Sequence, residues 1–536
     1  MHHRLVMLRH LALGVLLAAC TFAARARAAE PSGGFLLLSP TDTVAIERFS
    51  RAPDHLQAAM LFKMVQQRFE YTVALRPDGS VSSLHEFYWP AAAAQGAKPD
   101  QEADFRFVGD SCIADLHAEG IQRLGSAAGA IPFINPSVLL MEQIAKRAAV
   151  LGFPANGVPM FVTAGGKSTN LAVTRVGADS VVIQMGRVDI RLRMDTDGDV
   201  VGGVIPLQNL RIVRVDSLPQ GALALPGSDR AAPPGAPYTA SEVRVPSRHG
   251  FELAGTLTVP KGAARHWPVV VTITGSGAED RDESLPIVRG YQPFREIADA
   301  LGRRGIAVLR MDDRGYASSG GTFKNSTSAD FAEDIEDAVK YLRARAQFDP
   351  ARIALLGHSE GGLIAPLVAA RDPRLRAIVL LAGPALSGRK VLEYQNMEAV
   401  VRGEHAQGAR RDSLFRAAMA QVDTLAMRDA WLRWFRDHDP VPTARKVTTS
   451  VLILQGATDH QVTPDQAAML EKAFREGGNR DVTRRVFPAT NHLFVPDSSG
   501  VPGGYSQLKD PHVRPEVLRT IGDWLTQRFA ARPRRR

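Results

Sequence analysis

Downstream of residue 238, short apolar runs alternate with amphipathic stretches long enough to be helices, and this rhythm restricts the architecture more than any other feature of the chain. The run at residues 269–274 has almost no polar face, so it suits a strand covered on both sides. Parallel strands need crossover connections, and the stretches between the runs have helical spacing. The pattern predicts strands at residues 269–274, 306–311, 353–356, 377–382, 450–455 and 483–487. Helices are expected near residues 294–304, 329–346 and 362–370, and one over 515–529 closes the chain. Residues 243–245 and 253–259, with a turn at His249-Gly250, read as an antiparallel lead-in. From about residue 384 to 437 the period stays helical with no strand pattern. An insertion is expected there, over the strand ends where a lid would sit, with Trp431, Trp434 and Phe435 either presented by it or packed under it.

The chain has 536 residues, too many for one ordinary core, and a second unit is expected upstream. Pro219, Pro226, Pro233, Pro234 and Pro237 make residues 218–237 a stiff connector between residues 30–217 and residues 238–530. In the first unit, alternating segments at 70–75 and 81–87 flank Pro77-Asp78-Gly79, and segments at 181–194 and 200–205 flank an acidic turn. Helical patterns at 55–67 and 137–151 interrupt them, so a smaller, strand-rich, mixed α+β domain is expected. The acidic run Asp195-Thr196-Asp197-Gly198-Asp199 looks like the start of a calcium loop. Such a loop needs a glutamate where Pro206 stands, so a β-turn is the better reading.

Residues 1–28 have the layout of a secretory signal: Arg4 and Arg9, an apolar run, then small residues. Ala26-Arg27-Ala28 suits ordinary cleavage, whereas Leu17-Ala18-Ala19-Cys20 resembles a lipoprotein signal ending at residue 19, with a lipid anchor on Cys20; both readings stay open. Either one implies export, to the periplasm or beyond. The net charge of +9 suggests a nucleic-acid binder until it is located. Four arginines precede Ala29 and four more lie in the basic tail, 531–536, so the body is left near +1. With no basic stripe to follow phosphates, nucleic acid is not an expected partner. Cys20 and Cys112 are the only cysteines, so no disulfide framework is expected, and Cys112 reads as a buried, inert thiol.

The chemistry is carried by Gly357-His358-Ser359-Glu360-Gly361, a G-x-S-x-G pattern with an apolar strand before it and a helix after it. That context predicts a nucleophile elbow, with Ser359 in a strained turn and small residues required at Gly357, Gly361 and Gly362. A serine hydroxyl needs a base and a group to orient that base. Asp459 follows the strand at 450–455 and is the expected acid; Asp465 competes but reads as the first turn of a helix. His492, in the loop after the strand at 483–487, is the expected base, with His358 and His460 as weaker candidates. Oxyanion donors are expected from the amides of Glu360 and Ser276. Acyl transfer of this kind requires neither a metal nor an organic cofactor.

Several motifs together resemble a bacterial secreted esterase family of the α/β-hydrolase superfamily, one grouped with serine aminopeptidases and acyl-aminoacyl peptidases. They are Gly275-Ser276-Gly277 with Asp280-Arg281-Asp282-Glu283, Asp313-Arg314-Gly315 with Ser318-Ser319-Gly320, Gly357 to Gly362, Trp434 to Pro440, and Asn491-His492. Ala278 stands where that family commonly has proline. The resemblance covers residues 238–530. It implies an α/β-hydrolase fold with a helical lid and hydrolysis of small-molecule esters with short acyl groups. An aminopeptidase or acyl-peptidase using the same residues is the alternative, and a non-catalytic envelope binding protein a more distant one.

Overall fold

Two separate sheets organise the chain in the computed structural model, which describes residues 32–531 other than 41, 66, 91–98, 100, 118–119, 187, 220, 224–229, 263–265, 286, 289 and 404. The leader with Cys20, and the tail beyond residue 531, lie outside the described residues. Among the described residues, no helix is long and apolar enough to cross a membrane.

The first sheet has 15 strands in a meander whose first strand, Ser32–Leu38, pairs with the last, Leu210–Val215. Helix α1 (Val138–Val150) packs against it and buries nine of its 13 residues. Ser137 caps α1 by accepting the Leu140 amide, and the buried Glu47 carboxyl accepts the amides of Val138 and Leu139. An acid at a helix start is favoured by the unpaired amides and the helix dipole. The helix expected at 137–151 is thus present, but the one expected at 55–67 is not. Residues His55–Phe62 form a strand paired on both sides, with Leu56, Ala58 and Met60 facing inward. Alanine, leucine and methionine favour helix intrinsically, and two ladders of backbone hydrogen bonds override that preference. Asp195 to Asp199 form a turn, with Gly198 N–H bonded to Asp195 O. The Asp199 carboxylate is taken by Arg51 and Lys146.

The second sheet has eight strands: β1 (Tyr238–Pro246), β2 (Glu252–Pro260), β3 (Trp267–Ile273), β4 (Ala307–Met311), β5 (Phe348–His358), β6 (Ala377–Leu381), β7 (Ser450–Gly456) and β8 (Val482–Phe487). Their spatial order is β1-β2-β4-β3-β5-β6-β7-β8. The pairs from β4 to β8 are parallel, while β1 and β2 form the antiparallel lead-in. β4 and β6 are buried at every residue and β3 at all but its first, as sheets with helices on both faces require. Helices α2 (Pro293–Gly302), α3 (Ser328–Arg343), α4 (Gly361–Arg371) and, further on, α9 (Asp465–Glu476) and α10 (Pro515–Ala530) supply that cover. Between β6 and β7 lies a helical insertion: α5 (Gly388–Glu398), α6 (Gly408–Ala426), α7 (Ala430–Asp437) and the short α8 (Val441–Ala444). Phe435 is buried, and Trp431 and Trp434 are half-buried and packed against the core, so these aromatics anchor the insertion.

Candidate active site

The turn from β5 into α4 holds Ser359 at φ +52°. A non-glycine residue in this left-handed region is strained, and it persists because its surroundings leave no alternative. Here the neighbours are close. A Cβ on Gly357 would come within 2.0 Å of Gly361 O, and one on Gly361 within 2.2 Å of Ile273 O. At Gly362 it would lie 2.6 Å from Gly383 Cα, so all three glycines singled out in the sequence are required by close approach. Ser359 N–H donates to Leu381 O at 2.8 Å, fixing the turn to β6.

Asp459 and His492 follow β7 and β8, at the same carboxyl edge of the sheet. His492 Nδ1 lies 2.8 Å from Asp459 Oδ2, and both residues are buried. The other Asp459 oxygen accepts the amides of Gln461 and Val462, and Gln455 Nε2 donates to Oδ2. The carboxylate is therefore locked from both sides with one lobe left for the imidazole. Asp465 is exposed in the first turn of α9. His460 contacts Tyr394 and Glu398 of α5.

The loop after β3 carries Gly275 and Ser276. Gly275 N–H is already engaged by Glu279 Oε2 and Glu283 Oε1, at 3.0 and 2.8 Å. The exposed Ser276 comes next. A Cβ placed on Gly275 would lie 3.5 Å from Ser359 Cβ, so this loop runs against the elbow. Asp313 shapes the loop, its carboxyl accepting the Thr274 hydroxyl at 2.7 Å and the Glu279 amide at 2.9 Å. Burial holds the Asp313 carboxyl well above its ordinary range against those two bonds. Burial likewise raises Glu279, reinforced by the Glu283 and Asp313 carboxyls. Arg314 clamps α3 through two bonds to Asp334, at 2.6 and 2.8 Å. The fully buried Arg281 forms a two-pronged pair with Asp312. The charged motifs at 280–283 and 312–314 thus frame the loop.

Glu360 is buried beside the elbow. Its Oε1 accepts the Ser328 hydroxyl and the Trp431 indole N–H, at 2.5 and 2.9 Å. Burial pushes its carboxyl up to about 7, although both bonds favour the charged form. His358 contacts Glu283 and the backbone of His492. Position in the sequence ranks His358 low, because a residue beside an elbow serine points away from the hydroxyl; the charged run at 280–283 is the one signal that could have flagged its partner.

Residues 290–499 match the family model described as serine aminopeptidase, S33. The chain is 28% identical over 288 residues to Esterase EstD of Thermotoga maritima, covering 51% of this chain and 66% of that protein. It is 24% identical over 265 residues to Dipeptidyl aminopeptidase BIII of Pseudoxanthomonas mexicana, covering 47% of this chain and 35% of the other. The chain therefore spans just under two thirds of the first relative and about a third of the second. Among solved structures, an esterase of Pyrococcus furiosus aligns with a TM-score of 0.39 at 15% identity, over 57% of this chain and 100% of that one. Est1E from Butyrivibrio proteoclasticus aligns at 0.35 and 17%, over 54% and 99%. The S33 match spans β4 to β8 of the parallel sheet and the turn at Ser359, so this part of the chain is similar to that family of hydrolases.

Proposed function

We propose that the protein is an exported serine hydrolase that cleaves small carboxylic esters with short acyl groups through Ser359, His492 and Asp459. The observation that carries this reading is the buried 2.8 Å contact between His492 Nδ1 and Asp459 Oδ2, at the sheet edge that also holds the strained Ser359. A carboxylate on Nδ1 fixes the tautomer that leaves Nε2 as the basic nitrogen. His492 takes the Ser359 proton as the hydroxyl oxygen attacks the ester carbonyl, and the same proton then goes to the leaving alcohol. Water cleaves the acyl-enzyme by the same route in reverse. The amides of Glu360 and Ser276 stabilise the oxyanion, and the engagement of Gly275 N–H by two carboxyls favours Ser276 as the loop's donor. The insertion α5 to α8 acts as a lid over the strand ends, and the proline-rich stretch separates this domain from the first.

Amide hydrolysis by the same residues is the second reading, favoured by the S33 match and the likeness to a dipeptidyl aminopeptidase. Turnover of nitrophenyl esters of graded chain length, compared with aminoacyl anilides, separates the two. Ser359 should label stoichiometrically with a fluorophosphonate, and Ser359→Ala should abolish both labelling and turnover. An unlabelled Ser359 would instead favour a binding protein with a hydrolase shell.

A further inference from the structure

His358 is buried, and both of its ring nitrogens face acceptors. Nδ1 lies 2.8 Å from Glu283 Oε1, and Nε2 lies 2.9 Å from the main-chain oxygen of His492. The carbonyl can only accept, and Glu283 Oε1 already accepts Gly275 N–H at 2.8 Å. With Glu283 ionised, a neutral imidazole would set a bare lone pair against one of these oxygens, so both nitrogens then donate.

Glu283 is built for this contact. It is buried at φ +56°, a conformation a glutamate adopts only under constraint. Its Oε2 has no hydrogen-bond partner among the described residues, so its bonding runs through Oε1. The resulting path is Gly275 N–H to Glu283, Glu283 to His358, and His358 to His492. It crosses the carboxyl edges of three different strands: β3, β5 and β8.

We infer that His358 is a positioning residue, a doubly donating imidazolium that with Glu283 ties the oxyanion loop to the main chain of the base, His492. The inference rests on the roles proposed above for Ser359 and His492. The pair acts through geometry. Ser276 follows the tethered Gly275, and the His492 ring is carried by the tethered carbonyl, so one ion pair sets two distances to Ser359. Burial opposes the His358 charge, but the Glu283 carboxyl, the bonds to Glu283 and His492 and the more distant Asp459 together hold its pKa above the ordinary histidine value. The other groups facing the ring are the His492 imidazole, with ring centres 4.9 Å apart, and Phe494, at 6.1 Å.

The test combines kinetics with nitrogen NMR on the full chain labelled with ¹⁵N-histidine. His358→Gln can keep one of the two bonds, and Glu283→Gln removes the charge partner. Each should lower kcat on a short nitrophenyl ester by about tenfold or more with KM changed less than about threefold, as expected when placement rather than binding is lost. In the wild type, one imidazole should keep both nitrogens protonated above the ordinary histidine range, and this signal should vanish in either variant. The inference is overturned if no doubly protonated histidine signal above that range is lost in the variants, or if both variants keep kcat within twofold. Should those variants not fold, His117→Gln and His512→Gln, at the two exposed histidines that carboxylates also hold above the ordinary value, keep the test open: loss of the signal in either would overturn its assignment to His358, and survival in both supports it. Fluorophosphonate labelling of wild-type Ser359 separates the two levels: no labelling sinks the triad reading itself, whereas labelling with unaffected variants sinks only the positioning role.

Discussion

The indole N–H of Trp431 donates to the Glu360 carboxyl at 2.9 Å, which ties helix α7 of the insertion to the residue that follows Ser359. The same oxygen accepts the Ser328 hydroxyl at the start of α3, so one buried carboxyl joins three elements. The second oxygen of Glu360 has no partner among the described residues, which makes the charged form costly there.

That cost gives stability a definite pH dependence. Burial raises the Glu360 carboxyl from 4.5 to about 7, so between those values the folded chain holds a proton that the unfolded chain releases. Its contribution is full below about 4.5 and is lost as pH rises through about 7, a change on the order of 3 kcal/mol. Glu360→Gln should flatten the fall in Tm between pH 5 and pH 7.5 measured by calorimetry. The flattening should be partial, because burial raises Glu86 in the first sheet to about 7 as well. An unchanged slope would show that Glu360 ionises normally.

At the elbow, Gly361→Ala should be among the most damaging small changes in the chain. The added methyl would meet two backbone oxygens at the end of β3, Ile273 O at 2.2 Å and Thr274 O at 2.7 Å. Backbone cannot move aside as a flexible side chain can, so a loss of about 3 kcal/mol or failure to fold is expected. Urea denaturation of the soluble fraction measures it. Gly503→Ala, where nothing lies within 4 Å of the added carbon, serves as the neutral control.

The two candidate acids separate cleanly. Asp459→Asn should cost about 10⁴ in kcat, because an amide in that place favours the wrong imidazole tautomer while leaving the geometry intact. Asp465→Asn should leave kcat within about twofold, since that side chain is exposed at a helix start and contributes chiefly to the helix dipole. Steady-state hydrolysis of a nitrophenyl ester decides, and a larger loss from the second variant would reassign the acid.

The parallel sheet was readable because most of its strands contain a short, continuous apolar run, and the helices between them keep their period. Ser359, Asp459 and His492 were singled out by the same rhythm, since each stands in the turn or loop that follows a strand. The strand His55–Phe62 was not readable, because its composition favours helix and only pairing with two neighbours decides otherwise. The insertion's helices were legible from period, but the Trp431 to Glu360 bond was not, as it joins residues 71 positions apart. The same holds for Glu283 and His358, which are 75 apart, and a single chain carries no local signal for such contacts.

Cys112 offers a probe of how far the two sheets are independent. Its thiol is fully buried against the first core, and burial pushes it up to about 11, so the folded chain should not react with a disulfide reagent at pH 8. The buried clusters around Cys112 and around the sheet of Ser359 share no member, so nothing in their packing forces the two sheets to unfold together. In a Cys20→Ser background, urea should expose Cys112 at one midpoint, while fluorophosphonate labelling of Ser359 is lost at another. Coincident midpoints would show that the two units unfold cooperatively across residues 218–237, and rapid reaction without urea would contradict the burial of Cys112.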